Sequence, residues 1–190
     1  MRLLVEALGS PANMNKIHFY SNMSGDGGAA AASVLMERLG PNLLDFCMSS
    51  CRVREAGGLS LARGLQFSQQ LRVLDLSDSM FGEKGGAALA ETLTKLPNLN
   101  QLILKDSGVS GKGLDSILNA LIHQALEVLD LASLDMGPEG AAKLAKQIAN
   151  LPALRELRLA ENGLQNKGAK ALAAAAYVFP FFSRRNFCSF

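Results

Sequence analysis

Three groups of residues in this 190-residue chain carry the side chains that chemistry requires. Gly25-Asp26-Gly27-Gly28-Ala29-Ala30 satisfies G-x-G-x-x-A, and Asp45 lies about 20 residues beyond it. In a dinucleotide site that pattern lets glycines admit the pyrophosphate at a helix start while an acid holds the ribose. Residues 107–113, reading Ser-Gly-Val-Ser-Gly-Lys-Gly, hint at a phosphate loop. There Gly113 stands where the magnesium-binding hydroxyl is needed and Asp106 where the first glycine belongs, so that motif fails. His18, Cys47 and Asp75 supply an imidazole, a thiol and a carboxylate, the parts of a thiolate nucleophile. Two histidines, His18 and His123, and three cysteines, Cys47, Cys51 and Cys188, are the candidate soft metal ligands.

What must position these groups is a repeat. The pattern L-x-x-L-x-L occurs at residues 71–76, 99–104, 126–131 and 154–159, with weaker copies ending at Phe19 and Met48. The last apolar residue of each copy serves as an anchor: Phe19, Met48, Leu76, Leu104, Leu131 and Leu159, spaced 27 to 29 residues apart. Nine positions after each anchor stands a glycine: Gly28, Gly57, Gly85, Gly113, Gly140 and Gly168. Thirteen after it stand Ala32, Leu61, Leu89, Ile117, Leu144 and Leu172, and seventeen after it Met36, Leu65, Leu93, Leu121, Ile148 and Ala176. Those offsets fall on one face of an α-helix. Pro41, Pro97 and Pro152 lie just before the next strand, where a residue without an amide donor ends the helix. Each unit is predicted to run strand, turn, helix, turn.

A unit this short cannot bury its own apolar faces, so neighbours must stack around one core. The predicted fold is α/β, a right-handed leucine-rich repeat solenoid: a horseshoe arc of about six repeats of ~28 residues. Parallel strands sit about 4.8 Å apart and packed helices about 8–10 Å, so strands line the inner wall and helices the outer. Small residues such as Ala29, Ala32, Ala87, Ala88, Ala141 and Ala142 permit close helix packing, and the glycine column marks tight backbone at the helix entry. Three residues after the anchor the column Asn22, Cys51, Ser79, Ser107, Leu134 and Asn162 should form a loop ladder, its side chains bonding backbone of neighbouring turns. Leu134 cannot, so the ladder is expected to be weakest in the fifth repeat. Residues 1–13 read as part of the helix of a preceding repeat, leaving the first strand an open edge unless they cover it. Residues 14–176 read as the repeat domain. Residues 177–190 hold five of the nine phenylalanines and obey no repeat rule. They read as an unrelated ending, with a hydrophobic cap or a partner-binding motif as alternatives.

Within this frame the chemical motifs lose force. Gly28 belongs to a column present in all six repeats, and the dinucleotide pattern occurs in one, so no cofactor is expected. Strand alternation sends His18, Cys47, Asp75, Ile103, Asp130 and Arg158 to the concave face. The cysteine then sits between histidine and aspartate, where a triad needs the imidazole, and no oxyanion hole is recognisable. Neither a metal site nor a small-molecule ligand is expected, and the chain reads as having no active site of its own. Two positions past the anchor stand Ser21, Ser50, Asp78, Asp106, Ser133 and Glu161. Joined to Asp75 and Asp130 they form an acidic strip, interrupted by Lys105 and Arg158, that reads either as solvated strand surface or as a partner-binding wall.

Composition bounds the rest. With 48% hydrophobic and 19% charged residues the chain is no disordered tail, and a scattered formal charge of +2 does not indicate a nucleic-acid surface. The odd cysteine count suits a reducing compartment. Glu6 breaks the first apolar run before it could act as a secretion signal, and no stretch reaches the roughly 18 apolar residues of a membrane span, so a soluble protein is expected.

The wording of three repeats goes further. Ile17-His18-Phe19-Tyr20-Ser21-Asn22-Met23-Ser24-Gly25-Asp26-Gly27-Gly28-Ala29, with the matching stretches 74–86 and 157–169, closely resembles the Ran GTPase-activating proteins in their plant and algal form. The resemblance covers roughly residues 1–176, and ribonuclease-inhibitor-like and NOD-like receptor repeats share the same frame. It implies a solenoid that binds the small GTPase Ran and speeds GTP hydrolysis without inserting an arginine. The activator would orient the GTPase's own glutamine, partly through an asparagine in a strand-to-helix loop, and positioning is most of what phosphoryl transfer asks of a protein. By repeat order that asparagine falls one repeat upstream of Phe19, and Asn22 holds the equivalent slot here. The chain then corresponds to the C-terminal half of the repeat domain, without the family's acidic tail or nuclear-envelope domain. Asn22, Asp78, Asp106 and Glu161 become contact candidates, and the cytoplasm or nuclear envelope the expected location. The alternative is a non-catalytic interaction scaffold of NOD-like receptor or ribonuclease-inhibitor type.

Overall fold

The computed structural model describes residues 14–121, 125–148 and 150–178. The partial helix expected before residue 14, His123, and the tail beyond residue 178 lie outside the described residues. Six strands alternate with six helices: β1 (Lys16–Tyr20), α1 (Gly25–Leu39), β2 (Asp45–Ser49), α2 (Glu55–Leu65), β3 (Val73–Asp75), α3 (Gly82–Leu93), β4 (Gln101–Ile103), α4 (Gly111–Ala120), β5 (Val128–Asp130), α5 (Gly137–Ile148), β6 (Glu156–Arg158) and α6 (Gln165–Val178). The strands form one sheet in chain order, every pair parallel. Pairing keeps the repeat in register, with Phe46, Leu74, Leu102, Leu129 and Leu157 in one row. This is the predicted α/β solenoid. No described helix is long and apolar enough to cross a membrane.

The core lies between sheet and helices. All six anchors are buried, from 0% exposed at Met48 to 9% at Phe19, and so are Ala32, Leu61, Leu89, Ile117, Leu144 and Leu172 on the helices. Each buried leucine of this kind contributes about 1.5–3 kcal/mol. Burial is shared between neighbouring repeats, which is why one repeat cannot stand alone.

The glycine column sits in the first turn of each helix and none of its members has a positive φ. Its cause is proximity. A Cβ on Gly113 would come within 2.6 Å of the Glu83 carbonyl oxygen, and one on Gly57 within 3.0 Å of the Ala29 Cβ and 2.5 Å of the Asp26 carboxylate. Glycine here lets one helix start nest against the previous helix. Gly140 and Gly28 differ: the nearest atoms to a Cβ on Gly140 would be those of Met136 in its own repeat, and those to a Cβ on Gly28 would be Ser24 of its own loop and Met48 of the next strand.

The left-handed backbone falls instead two positions past each anchor. Ser21, Ser50, Asp78, Asp106, Ser133 and Glu161 all have φ between 51° and 57°. In that pose the backbone N–H continues the sheet's pairing: Asp78 N donates to Lys105 O at 2.9 Å, Asp106 N to Ala132 O at 2.9 Å and Ser133 N to Ala160 O at 2.8 Å. The polar residue types of this column follow in part from that backbone, since Asp tolerates the left-handed region better than branched residues do.

Candidate partner-binding surface

The surface has two parts, the strand face away from the helices and the loops that leave the strands. Register sets the strand face in rows: Lys16, Asp45, Val73, Gln101, Val128, Glu156, then His18, Cys47, Asp75, Ile103, Asp130, Arg158. The row containing His18, Cys47 and Asp75 is assembled as expected, but its members are engaged elsewhere. His18 Nε2 lies 2.9 Å from Asp45 Oδ1, with Lys16 Nζ 3.5 Å from the other oxygen of the same carboxylate. Cys47 is 2% exposed beneath Tyr20, and burial pushes its thiol up to about 11, while the Tyr20 phenol, hydrogen-bonded to Cys47, is pushed up to about 12. A thiol held protonated is a poor nucleophile.

The proposed acidic strip divides under inspection. Asp78 and Asp106 are exposed and lead the loops outward, as expected. Glu161 is exposed and accepts a hydrogen bond from Ser133 Oγ at 2.8 Å. Asp75 is half-buried, its Oδ1 accepting from Ser77 N at 3.0 Å and Ser77 Oγ at 2.6 Å. Asp130 does not belong to the surface: it is 4% exposed, accepts from Ala132 N at 3.0 Å, and pairs through Oδ2 with Arg158 Nη1 at 3.3 Å. Its carboxylate closes the turn after β5, so the strip ends there. Arg158 also reaches Glu156 at 2.7 Å, which raises its pKa further.

The loop ladder is likewise partial. Cys51 Sγ donates across the repeat to Phe19 O at 3.3 Å. Asn162 does the most: its Nδ2 donates to Leu131 O at 2.7 Å, and its Oδ1 accepts from Leu134 N at 3.1 Å and Met136 N at 3.2 Å. Serine is too short to span. Ser79 Oγ reaches only Ser77 O of its own loop, at 3.4 Å, and Ser107 Oγ is buried without a partner. Asn22 is exposed and bonds only Tyr20 O, at 2.9 Å, so it is no rung. The weak place is therefore the fourth repeat, at Ser107. The fifth, despite Leu134, is secured by Asn162 from the sixth.

Two features lie outside the sequence motifs. Asp26, assigned to the glycine pattern, accepts from Arg54 N at 2.7 Å and Gly57 N at 3.0 Å, so it caps α2 from the neighbouring repeat. That engagement turns the one acid of the glycine-rich stretch inward, while Asp45 is held on the opposite face by Lys16 and His18. The second feature is the column four past the anchor: Met23, Arg52, Met80, Gly108, Asp135, Gly163. Its first three members are large and exposed, Met23 at 70% and Met80 at 62%, beside Tyr20 at 56%. A cleft of about 400 Å³ opens there, lined by Ser50, Arg52, Arg54, Asp78, Ser79 and Met80. The column itself is the signal in the sequence, because three large side chains stand where the fourth and sixth repeats carry glycine.

Comparison with known proteins agrees with this geometry. The Leucine Rich repeat family matches residues 150–173. The chain is 28% identical to pig (Sus scrofa) ribonuclease inhibitor over 138 residues, 71% of this chain and 30% of that protein. The fold is that of a leucine-rich repeat solenoid, and its repeats are similar in sequence to those of ribonuclease inhibitor. Mouse (Mus musculus) protein NLRC5 is 31% identical over 140 residues, 73% of this chain and 7% of that protein. The repeat protein thus spans well under half the length of these curated relatives. Among solved structures, the tropomodulin C-terminal domain of Caenorhabditis elegans superposes with a TM-score of 0.54 at 10% identity, covering 92% of each chain, a likeness of fold alone.

Proposed function

We propose that this chain is a protein-binding scaffold that presents its strand face and strand-leaving loops to a protein partner, binding and regulating without catalysing. The observation that carries the reading is the register: each repeat delivers one side chain to the same height of one rigid wall, in rows running across six strands. Such a wall offers ordered area at little entropic cost on binding. A relative named for inhibiting ribonuclease supports a protein as partner. The test is hydroxyl-radical footprinting of a purified one-to-one complex. Protection of Tyr20, Met23 and Met80 with the helix-side Lys143 and Lys146 left reactive is expected; protection confined to the helix side overturns the reading.

A finer reading makes the partner Ran and the chain an activator of its GTP hydrolysis. It is supported by the repeat wording and by the exposure of Asn22, whose Nδ2 donates to Tyr20 O while its carbonyl oxygen accepts no hydrogen bond among the described residues. Single-turnover hydrolysis by Ran tests it. Acceleration that disappears in Asn22→Ala is expected, and no acceleration at saturating chain overturns it. The cytoplasm or nuclear envelope would be the site of action.

A further inference from the structure

We infer that the cleft between the second and third loops takes an acidic segment of a protein partner in which a carboxylate stands next to a large apolar side chain. This rests on the scaffold reading and specifies where and what it binds. Arg52 and Arg54 both line the cleft with exposed side chains, and among the described residues neither guanidinium has an ionic partner. Several basic side chains of the helix and strand surfaces are matched to acids, Lys84 to Glu55, Lys143 to Asp115, Lys167 to Glu139 and Arg158 to Glu156, whereas Arg52 and Arg54 stand unmatched together in one cleft. An unmatched pair of guanidiniums in one concavity is complementary to carboxylate, which each can grip with two parallel bonds.

The positions are held firmly. Arg52 is fixed with φ 57°, Arg54 N is bonded to Asp26, and Met80 N donates to Val53 O at 2.8 Å beside the parallel bridge between Arg54 and Met80. Met80 forms one wall, and Met23 stands on the far side of Arg52 in the same column. With neighbouring strands about 4.8 Å apart, Met23 and Met80 lie about 10 Å apart, the reach of three extended residues. A short acidic segment therefore meets charge at its centre and apolar, adaptable thioethers at its ends. Asp78, also in the cleft, makes no side-chain hydrogen bond or ion pair among the described residues and repels a second acid on its side, so the segment carries its acid toward Arg52 and Arg54.

A phage-displayed random dodecapeptide library selected on the purified chain tests this. The expected outcome is enrichment of sequences pairing Asp or Glu with Leu, Phe or Met. A synthetic peptide of the leading sequence should then lose about 30-fold in affinity to Arg52→Glu/Arg54→Glu and about tenfold to Met80→Asp, with no change for Lys146→Glu on the helix side. Circular dichroism melting of each variant confirms folding. Selected peptides with no acidic bias, binding indifferent to the double variant, or displacement by millimolar inorganic phosphate alone overturn the proposal. A partner that footprints the strand face while ignoring these variants would sink this inference and leave the scaffold reading standing.

Discussion

The join between α3 and α4 and the join between α4 and α5 occupy equivalent places in the stack and are built differently. At the first, Gly86 and Gly113 face each other so closely that a Cβ on Gly86 would lie 3.1 Å from the Gly113 Cα. At the second, the nearest atoms to a Cβ on Gly140 would be those of Met136 in its own repeat, and a groove of about 210 Å³ opens, lined by Asp115, Leu118, Asn119, Lys143, Lys146 and Gln147. Side-chain bridges cross it: Lys143 to Asp115 at 2.7 Å and Gln147 to Asn119 at 3.0 Å. Beneath the gap the sheet continues unbroken, Leu102 opposite Leu129 and Leu104 N bonded to Asp130 O at 2.9 Å. Past it the helices close again, since a Cβ on Gly168 would lie 2.8 Å from the Ala141 Cβ. A parallel sheet fixes strand spacing through backbone bonds, whereas helix spacing is set by whichever side chains intervene. One interval that omits the nested contact therefore opens the outer layer without touching the inner one. The helices fall into a block of four and a block of two.

If the last two repeats are one block, their unity depends most on Asn162, which serves buried backbone groups in both. Asn162→Ala leaves those groups unpaired and should cost about 3 kcal/mol, read from urea unfolding, whereas Ser107→Ala removes a hydroxyl without a partner and should cost less than about 0.5 kcal/mol. Next in size are the glycines. Gly113→Ala forces a Cβ against the Glu83 carbonyl and should destabilise by about 2 kcal/mol. Gly140→Ala displaces only the Met136 side chain, offset by better helix propensity, and should stay within about 1 kcal/mol of wild type. Equal costs at the two glycines would erase the difference between the joins.

Among the described residues, alkali loads the first block. Cys47 is pushed from 9.0 to about 11 by burial, and Tyr20 from 10.0 to about 12 chiefly by its bond to Cys47. The native chain keeps these protons to higher pH than the unfolded chain, so the stability they confer is complete below about pH 9 and is lost as pH rises through about 11. Hydrogen exchange compared at pH 8 and above pH 10 should show β1 and β2 opening before β5 and β6, with the effect reduced in Cys47→Ala. A small effect belongs to the gap itself. Lys143→Ala should cost about 0.2–1 kcal/mol, vanishing in high salt because the pair is exposed.

The repeat made most of the architecture legible. Anchors and helix leucines recur at fixed offsets, and any residue type that must be buried six times in the same place shows itself by counting. What stayed hidden depends on contacts between repeats. Asp130 looks like the other aspartate of its row, Asp75, and only the approach of Arg158 and the turn amide of Ala132 buries it. Serine was grouped with asparagine and cysteine in the loop ladder by polarity, but a shorter side chain does not reach the next turn. The glycines were found by position, although nothing in their order distinguishes Gly140 from the other five. Arg52 and Arg54 belong to no motif, and their significance lies in what fails to face them.

Six residues in the loops, from Ser21 to Glu161, hold a twist that glycine would adopt with less strain, at about 1 kcal/mol apiece. Replacing them all with glycine would relax the backbone and at the same stroke shave the rim of the molecule smooth. The polypeptide thus keeps the points where each strand leaves the sheet under tension, and a change that makes this protein more comfortable there strips the side chains from that edge.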